Sequence, residues 1–374
     1  MLKILFWVAL FGAVYSYFLY PLILKLLPRR RMVRAEGSAA RKVSLIITAH
    51  NERDRIREKI ENSLELDYPD MEIIVASDCS TDETDDIVRE YADKGVRLAR
   101  ADERKGKEYA QLQAITIAAG EIIVFSDVAT KIPADAIKKL ESYFADERVG
   151  AVSSEDRFIT NDDQVAGEGA YVKYEMWLRR LESERFGLVG LSGSFFAARK
   201  KVCEEWDIYS PSDFNTALNC AKKDLVAVTA PDVLGFYKDV ADPQKEYQRK
   251  VRTIIRGITA LSRHPQVLSP VQFGWFAVQV LSHKVMRWAV PWFLAALLVF
   301  SLLLNYQGGV YSLVLLGQIA FYLLVLIGHF KPDLREKVYV KIPYFFVQVN
   351  LAIAKATIDF FKGTRMTVWT PSKR

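Results

Sequence analysis

The chain has 374 residues, 51% of them hydrophobic and 26% charged, so it encodes an ordered protein with room for about two domains. Its three cysteines lack paired spacing and its four histidines are scattered, which disfavours disulfides and a zinc site. The formal net charge of +6 is concentrated beside an apolar segment, so it indicates a membrane surface, and we expect no nucleic-acid partner.

An apolar segment at the N-terminus is followed directly by basic residues. Residues 4–27 are nearly uncharged and long enough to cross a membrane at about 1.5 Å per residue. The segment is too long for a signal-peptide core and lacks a small-residue cleavage site, so we expect a permanent anchor. By the positive-inside rule the soluble part that follows should face the cytoplasm, because it begins with a basic cluster: Arg29, Arg30, Arg31, Arg34, Arg41 and Lys42.

Strand-like and helix-like patterns then alternate three times with short connections. Apolar runs predict buried strands at residues 43–49, 72–77, 96–99 and 122–126. Helices are predicted between them, since apolar residues recur there at helical spacing. The alternation predicts an α/β fold with a doubly wound, mostly parallel sheet.

Polar side chains follow the ends of these strands: Asn51, Glu52, Asp78, Lys107 and Asp127. Because ligands bind at the carboxyl edge of such a sheet, acids and bases there suit a nucleotide diphosphate with a hard cation, Mg²⁺ or Mn²⁺, bound at Asp127. The simpler alternative for Asp127 is a cap on the helix that starts near Pro133. Neither a dinucleotide fingerprint nor a P-loop follows the first strand, which disfavours dehydrogenases and P-loop enzymes.

Further elements follow the Asp127 strand. A strand is predicted at residues 149–153 and an amphipathic helix at residues 168–185. Residues 191–197 then place small residues between apolar strands. The acids and base at residues 155–157 are expected in a loop that is either solvated or lines a ligand pocket. Asp213 precedes an apolar helix and is most simply its N-cap. Residues 247–257 begin a basic helix.

The C-terminal third returns to membrane composition. Residues 269–288 mix apolar, aromatic and basic side chains and predict an interfacial helix, while residues 289–304 and 310–328 predict two spans. Residues 342–361 contain polar side chains and could cross the membrane or lie in its surface.

We therefore expect five parts in the chain: a transmembrane helix, a basic juxtamembrane linker, a cytoplasmic α/β domain, an interfacial region, and a membrane region with two or three helices. Their predicted bounds are residues 1–28, 29–42, 43–262, 263–288 and 289–374.

Four short motifs, in order, resemble a known family: Thr48-Ala49-His50-Asn51-Glu52, Ser77-Asp78-Cys79-Ser80-Thr81-Asp82, Gly106-Lys107 and Ser126-Asp127. They are similar to those of the GT-A-fold glycosyltransferases of family 2, which include cellulose, chitin, hyaluronan and poly-N-acetylglucosamine synthases. The resemblance implies a GT-A fold with a mixed, mostly parallel sheet and membrane helices at both ends of the chain. It further implies a divalent metal and a nucleotide sugar as donor, which we expect to be a UDP-sugar.

The resemblance also assigns roles to individual residues, both at the strand ends and beyond them. Asp213 matches the second acid of the family's general-base motif, and Gly193 and Ser194 match its glycine-rich segment near the donor sugar. Arg249, Lys250 and Arg252 correspond to cations that face the diphosphate. Asp78 and the Asn51-Glu52 loop should hold the base and ribose, with Lys107 near the nucleotide.

Three departures from the family pattern bear on function. Ser77-Asp78 replaces the usual Asp-Asp, and Asp127-Val128-Ala129 replaces Asp-x-Asp, so this motif offers the metal one carboxylate. Arg252 stands where the family's Gln-x-x-Arg-Trp motif has Trp, which disfavours a processive synthase.

The sequence thus predicts an inverting hexosyltransferase that acts on a lipid-linked or saccharide acceptor at the cytoplasmic membrane face. A processive polysaccharide synthase and a catalytically degenerate, glycosyltransferase-like subunit are the alternatives. A sugar-nucleotide pyrophosphorylase would leave Asp213 and the membrane helices without a role.

Overall fold

The computed structural model describes residues 1–34, 41–159, 169–238, 243–335 and 337–366. Its soluble part is built on a seven-stranded sheet with the order β3-β2-β1-β4-β6-β5-β7. The strands are β1 (Val43–Ala49), β2 (Met71–Ser77), β3 (Val96–Arg100), β4 (Ile122–Asp127), β5 (Val149–Ile159), β6 (Phe195–Arg199) and β7 (Val226–Lys238).

The sheet is mixed but mostly parallel, as predicted. Strand β1 pairs in parallel with both β2 and β4, and β2 pairs in parallel with β3. Strand β6 runs antiparallel to its neighbours β4 and β5, while β5 and β7 are parallel. The carboxyl ends of β1, β2, β3 and β4 therefore meet at one edge, where the predicted site residues lie.

Helices cover both faces of the sheet, which explains the continuous apolar runs of the central strands. The helices of the soluble part are α3 (Ile56–Leu64), α4 (Thr84–Arg89), α5 (Lys107–Ile117), α6 (Ala136–Ser142), α7 (Ala170–Ser183), α8 (Ser212–Lys222) and α9 (Pro243–Arg263). Leu45 and Ile47 of β1 pack with residues of α3 and α6 on one face, whereas Ile46 packs with α5 and α8 residues on the other. One strand thus contributes to two cores.

Apolar helices lie at both ends of the chain. They are α1 (Leu2–Val14), α2 (Tyr20–Leu26), α10 (Pro270–Val280), α11 (Met286–Leu304), α12 (Val310–Phe330), α13 (Pro332–Arg335) and α14 (Val338–Phe361). One π-helical turn, Tyr15–Leu19, joins α1 to α2, and another, Leu281–Val285, joins α10 to α11. Within the described residues, three helical segments are long and apolar enough to cross a membrane: Leu2–Leu26, Pro270–Gln307 and Val310–Phe330.

The structure differs from two sequence expectations. The loop expected after residue 153 was wrong, because β5 continues to Ile159 and its second half pairs with β7 residues 234–238. The stretch predicted as a separate interfacial helix, residues 269–288, is continuous with the apolar segment that follows, and the two form the single segment Pro270–Gln307. The predicted boundary between them at residue 288 is thus inside a helix.

Candidate active site

A cavity of about 270 Å³ opens at the carboxyl edge of the sheet. Acidic and basic side chains line it in equal numbers. The acids are Glu52, Glu108, Asp127, Asp156 and Asp213, and the bases are Arg55, Lys107, Arg249, Arg252 and Arg256. Gly193 and Ser194 also line it. The structure therefore brings together most of the predicted site residues from strands and helices far apart in the sequence.

An ion pair between Lys107 and Asp127 lies in the wall of this cavity. Asp127 is the last residue of β4, and Lys107 begins α5 after Gly106, whose φ of 104° favours glycine. Lys107 Nζ lies 2.5 Å from Asp127 Oδ1 and donates to the Gly193 carbonyl at 2.9 Å. Lys107 thus connects the β4 end to the loop before β6.

A second lysine holds the Asp127 turn from behind. Lys59 on α3 is buried and donates to Ser126 Oγ at 2.7 Å and to the Thr130 carbonyl at 2.5 Å. Burial lowers the pKa of Lys59 to about 7, and the nearby Asp127 carboxylate opposes that shift. Sequence analysis missed Lys59, although its position three residues after Ile56, on the buried face of α3, was a usable signal.

The protein side chains in the cavity fit a metal ion whose ligands come mainly from a bound nucleotide sugar and from water. Within the described ranges, no three His, Cys, Asp or Glu side chains are close enough to hold a metal by themselves. Ala129 supplies no carboxylate, whereas Asp127 keeps 28% of its side chain exposed towards the cavity. One carboxylate together with waters and phosphate oxygens is an ordinary Mg²⁺ environment.

Asp213 lies in the first turn of α8 with its carboxylate at the cavity wall. Its Oδ1 accepts a hydrogen bond from the Phe214 backbone N–H at 2.9 Å. The N-cap position of α8 is Pro211, and no side chain caps the helix, so the interpretation of Asp213 as a simple N-cap was wrong. Asp213 is available as a proton acceptor in the cavity.

Asp156 fixes the loop that carries Gly193. The hydroxyls of Ser192 and Ser194 both donate to its carboxylate, at 2.7 and 2.6 Å to Oδ1. Burial raises the pKa of Asp156, and these hydrogen bonds oppose the rise. A Cβ added at Gly193 would lie 3.4 Å from Asp213 Oδ2, so the loop passes directly beside the candidate base.

Helix α9 supplies a row of arginines to the cavity. Arg249, Arg252 and Arg256 recur at intervals of three and four residues and therefore share one helix face. Burial and the adjacent Arg256 and Arg249 lower the pKa of Arg252, which shows that like charges are gathered there. Such a cluster favours an anionic ligand.

A buried ion pair holds this helix in place. Arg256 Nη2 lies 2.6 Å from Glu108 Oε1, and both side chains are largely buried. The same Glu108 oxygen accepts from the Ser212 backbone N–H at 3.3 Å. Glu108 thus links α5, α8 and α9. It was missed from the sequence because its partners lie 104 and 148 residues away.

Three predicted residues do not line the cavity. Lys250 is rotated away from the arginine face; it pairs with Glu246 at 3.1 Å and lies over the Phe345 ring of α14. Asp78 is fully buried and accepts from the Gly106 N–H at 3.0 Å. Asn51, with a φ of 52°, accepts from the Thr81 N–H. Asp78 and Asn51 shape the strand-end turns, and their contact with a nucleotide stays a prediction.

Arg55 and Tyr237 line the cavity without having been predicted. Arg55 pairs with Glu52, and burial raises the pKa of Glu52 despite that pairing. Tyr237 belongs to β7, a strand that the sequence patterns did not predict.

The family profile "Glycosyl transferase family 2" matches residues 44–207, which contain all but the first residue of β1, the strands β2 to β6 and the Asp127 turn. Residues 44–207 form a glycosyl transferase family 2 domain. A mannosyltransferase from Pyrobaculum calidifontis, solved with GDP-Man and Mn²⁺, superposes with a TM-score of 0.74 over 98% of this chain and 100% of that one. The two sequences are 21% identical, so the likeness concerns the fold, and it confirms the predicted GT-A architecture.

Two curated relatives each match a little over half of the chain. Poly-beta-1,6-N-acetyl-D-glucosamine synthase of Staphylococcus epidermidis is 25% identical over 211 residues, which are 54% of this chain and 50% of that protein. Beta-monoglucosyldiacylglycerol synthase of Nostoc sp. is 27% identical over 220 residues, 55% of this chain and 47% of that protein. The chain therefore spans about half the length of these relatives.

Because Arg252 lines the cavity and Lys250 points away from it, the two residues provide a test and its matched control. We expect Arg252→Gln to weaken UDP binding by about ten- to one-hundredfold, because a charge-assisted hydrogen bond is lost. Lys250→Gln removes the same charge two residues away and should leave binding unchanged. Calorimetric titration of both detergent-purified variants with UDP measures the difference. An equal loss in both would mean that α9 presents another face to the nucleotide.

Proposed function

We propose that this chain is a membrane-anchored, inverting glycosyltransferase that transfers a sugar from a UDP-sugar to a lipid-linked or saccharide acceptor. The strongest support is one cavity in which Asp213 faces the arginines of α9 and the Lys107–Asp127 pair. An acid that accepts a proton and cations that stabilise a departing diphosphate are the two requirements of this reaction.

The donor would bind with its diphosphate between α9 and the β4 end. Arg249 and Arg252 lie on the α9 side of the cavity, and Lys107 lies on the α5 side. Fixed positive charge on both sides stabilises a leaving diphosphate better than mobile water does, because it needs no reorganisation during the reaction. The uracil base is inferred from the family resemblance of residues 48–52 and 77–82.

A divalent metal would be held by Asp127 and the donor phosphates. When bound, it supplies further positive charge to the departing diphosphate. Lys107 already neutralises one oxygen of Asp127, and Lys59 lies behind the same turn. With Ala129 contributing no charge, we infer a metal site that is weaker than one with two carboxylates.

Asp213 would act as the general base. As the acceptor oxygen forms its bond to the anomeric carbon, the hydroxyl proton moves to Asp213 and the bond from that carbon to the diphosphate oxygen breaks. The nucleoside diphosphate leaves with the electron pair. A single displacement of this kind inverts the anomeric configuration. Asp156, with two serine hydroxyls on its carboxylate, is better suited to positioning the Gly193 loop.

The acceptor is inferred to be presented at the cytoplasmic face of a cell membrane. Three helical segments have the length and composition of spans, and basic residues precede the soluble part. One curated relative is named for a polysaccharide and the other for a glucolipid. A reaction at the membrane surface accounts for the apolar helices.

The function is tested with a panel of nucleotide sugars. The full chain, purified in detergent, should release UDP from at least one UDP-sugar at a higher rate than GDP from GDP-sugars. Release of nucleoside diphosphate and the anomeric configuration of the product are measured together. Binding of UDP-sugars without any release, across acceptor lipids and oligosaccharides, would favour the degenerate subunit instead.

The role of Asp213 is tested by Asp213→Asn. The amide keeps the shape of the side chain but cannot accept the proton, so transfer should fall by about 10²–10⁴-fold while donor affinity stays unchanged. Asp207→Asn is the matched control, because Asp207 lies near the start of α8 but pairs with Arg263 outside the cavity. Near-normal transfer by Asp213→Asn would move the base to another acid.

The weak-metal inference is tested by Ala129→Asp, which restores a second carboxylate. We expect half-maximal transfer at a lower Mn²⁺ concentration than in the wild type, with Ala129→Asn as the uncharged control of equal size. Transfer rates are measured across a Mn²⁺ titration after chelation. Unchanged wild-type transfer in excess chelator would contradict a metal role altogether.

A further inference from the structure

The junction between the membrane helices and the family 2 domain contains a cluster of polar side chains. Ser282, His283 and Arg287 lie on the helical segment Pro270–Gln307, and each has a partner. Ser282 Oγ lies 2.9 Å from the Tyr15 hydroxyl, and His283 Nδ1 lies 2.7 Å from Glu182 Oε1. Arg287 Nη1 pairs with Glu175 at 2.5 Å. These contacts fix the membrane segment to the π-helical turn between α1 and α2 and to α7.

Lys284 is the exception in this cluster. Its ammonium lies 5.4 Å from the centre of the Phe214 ring. In the part of the chain that the structure describes, no carboxylate lies within ion-pair distance of it, although Asp213, Glu182 and Glu175 are near enough to act on its charge. A partly enclosed lysine without an anionic partner is unfavourable, because its desolvation is not offset.

The local backbone also singles out Lys284. It lies in the π-helical turn Leu281–Val285, which interrupts the α-helix between α10 and α11. Single π-helical turns are rare and are frequently found at functional sites, since the extra residue redirects the side chains of that turn. The turn allows Ser282 and His283 to meet their partners and turns Lys284 towards Phe214.

Lys284 lies on the membrane segment itself, over the ring of the residue that follows the candidate base. Phe214 follows Asp213 in the chain and packs with Phe276 and Val280 of α10. A Cβ added at Gly190 would lie 3.6 Å from Lys284 Nζ, and the same loop continues to Gly193 in the cavity. Lys284 therefore lies where the apolar helical segment meets the loop beside Asp213.

We propose that Lys284 binds the phosphate of an anionic, lipid-linked acceptor. In such a molecule the phosphate joins the lipid tail to the sugar, so its charge lies on the membrane side of the accepting hydroxyl, as Lys284 does relative to Asp213. A neutral glycolipid would offer this ammonium no counter-charge. The inference rests on the proposed function and specifies its acceptor.

Equilibrium binding of farnesyl phosphate tests this assignment without requiring turnover. The full chain in dodecyl maltoside micelles should bind farnesyl phosphate more tightly than farnesol. Lys284→Met and Lys284→Gln should each weaken farnesyl phosphate binding by about ten- to one-hundredfold, and Lys284→Arg should retain most of it. Lys25→Met is the matched control, since Lys25 is an exposed lysine of α2 that lies over the Trp177 ring. Its binding should equal that of the wild type.

Wild-type protein provides a second measurement that does not depend on a folded variant. Bound farnesyl phosphate should protect Lys284 from acylation, as followed by mass spectrometry, while Lys25 stays reactive. Inorganic phosphate at the same concentration should not protect, because it lacks the tail. Three results would overturn the inference. Wild type and Lys284→Met could bind farnesyl phosphate with equal affinity, or the substitution could weaken farnesol binding as much as farnesyl phosphate binding. Phosphatidylglycerol could also displace bound farnesyl phosphate as well as free farnesyl phosphate does, which would mean that the site binds lipid headgroups in general. Failure of nucleotide-sugar turnover would leave these binding results intact, so the two proposals fail separately.

Discussion

The buried ion pair between Glu108 and Arg256 determines how the cavity is assembled. Glu108 begins α5 beside Lys107, Arg256 lies on the arginine face of α9, and the same carboxylate accepts from the start of α8. Three helices that are distant in sequence are therefore held at one point, which sets the spacing between the α9 cations, Lys107 and Asp213. Breaking such a pair leaves an uncompensated buried charge, typically a loss of about 3–5 kcal/mol. Because a buried pair adds little net stability over apolar packing, its value here lies in the geometry it imposes.

The central strands could be predicted from the sequence because each is buried on both faces. Leu45, Ile46 and Ile47 form an unbroken apolar run for that reason, and the ends of these strands carry the polar residues. The second half of β5 could not be predicted in this way. Its residues Glu155 and Asp156 are charged, and they are held in a strand by pairing with β7, about 80 residues later, and by contacts such as that of Arg180 with Glu155. Local pattern carries no information on such distant partners.

The residues of the candidate site also fall into two groups: those that local sequence pattern predicts and those whose position depends on distant packing. Residues at strand ends, such as Asp127, were found because strand direction alone positions them. The α9 residues were found as a group, but which of them face the cavity depends on the rotation of the helix, which is set by packing on α14 through Val251 and Ile255. With this rotation, Arg252 lines the cavity and Lys250 lies over the ring of Phe345. Glu108 acts through partners that only the folded chain brings near.

The membrane segment and the donor cavity are joined by one loop, residues 187–194. At its start, Gln279 of α10 donates to the Gly187 carbonyl at 2.6 Å, and at its end Gly193 and Ser194 line the cavity. The loop has no regular structure of its own, so its course depends on such attachments. They include the hydroxyl contacts to Asp156, the Lys107 contact with the Gly193 carbonyl, and backbone hydrogen bonds of Leu188 and Leu191. A shift of the helical segment Pro270–Gln307 relative to the sheet would therefore move the wall beside Asp213. The helical segment Pro270–Gln307 thus contributes to the geometry of the cavity, and a fragment without it would lack the contact of Gln279 with this loop.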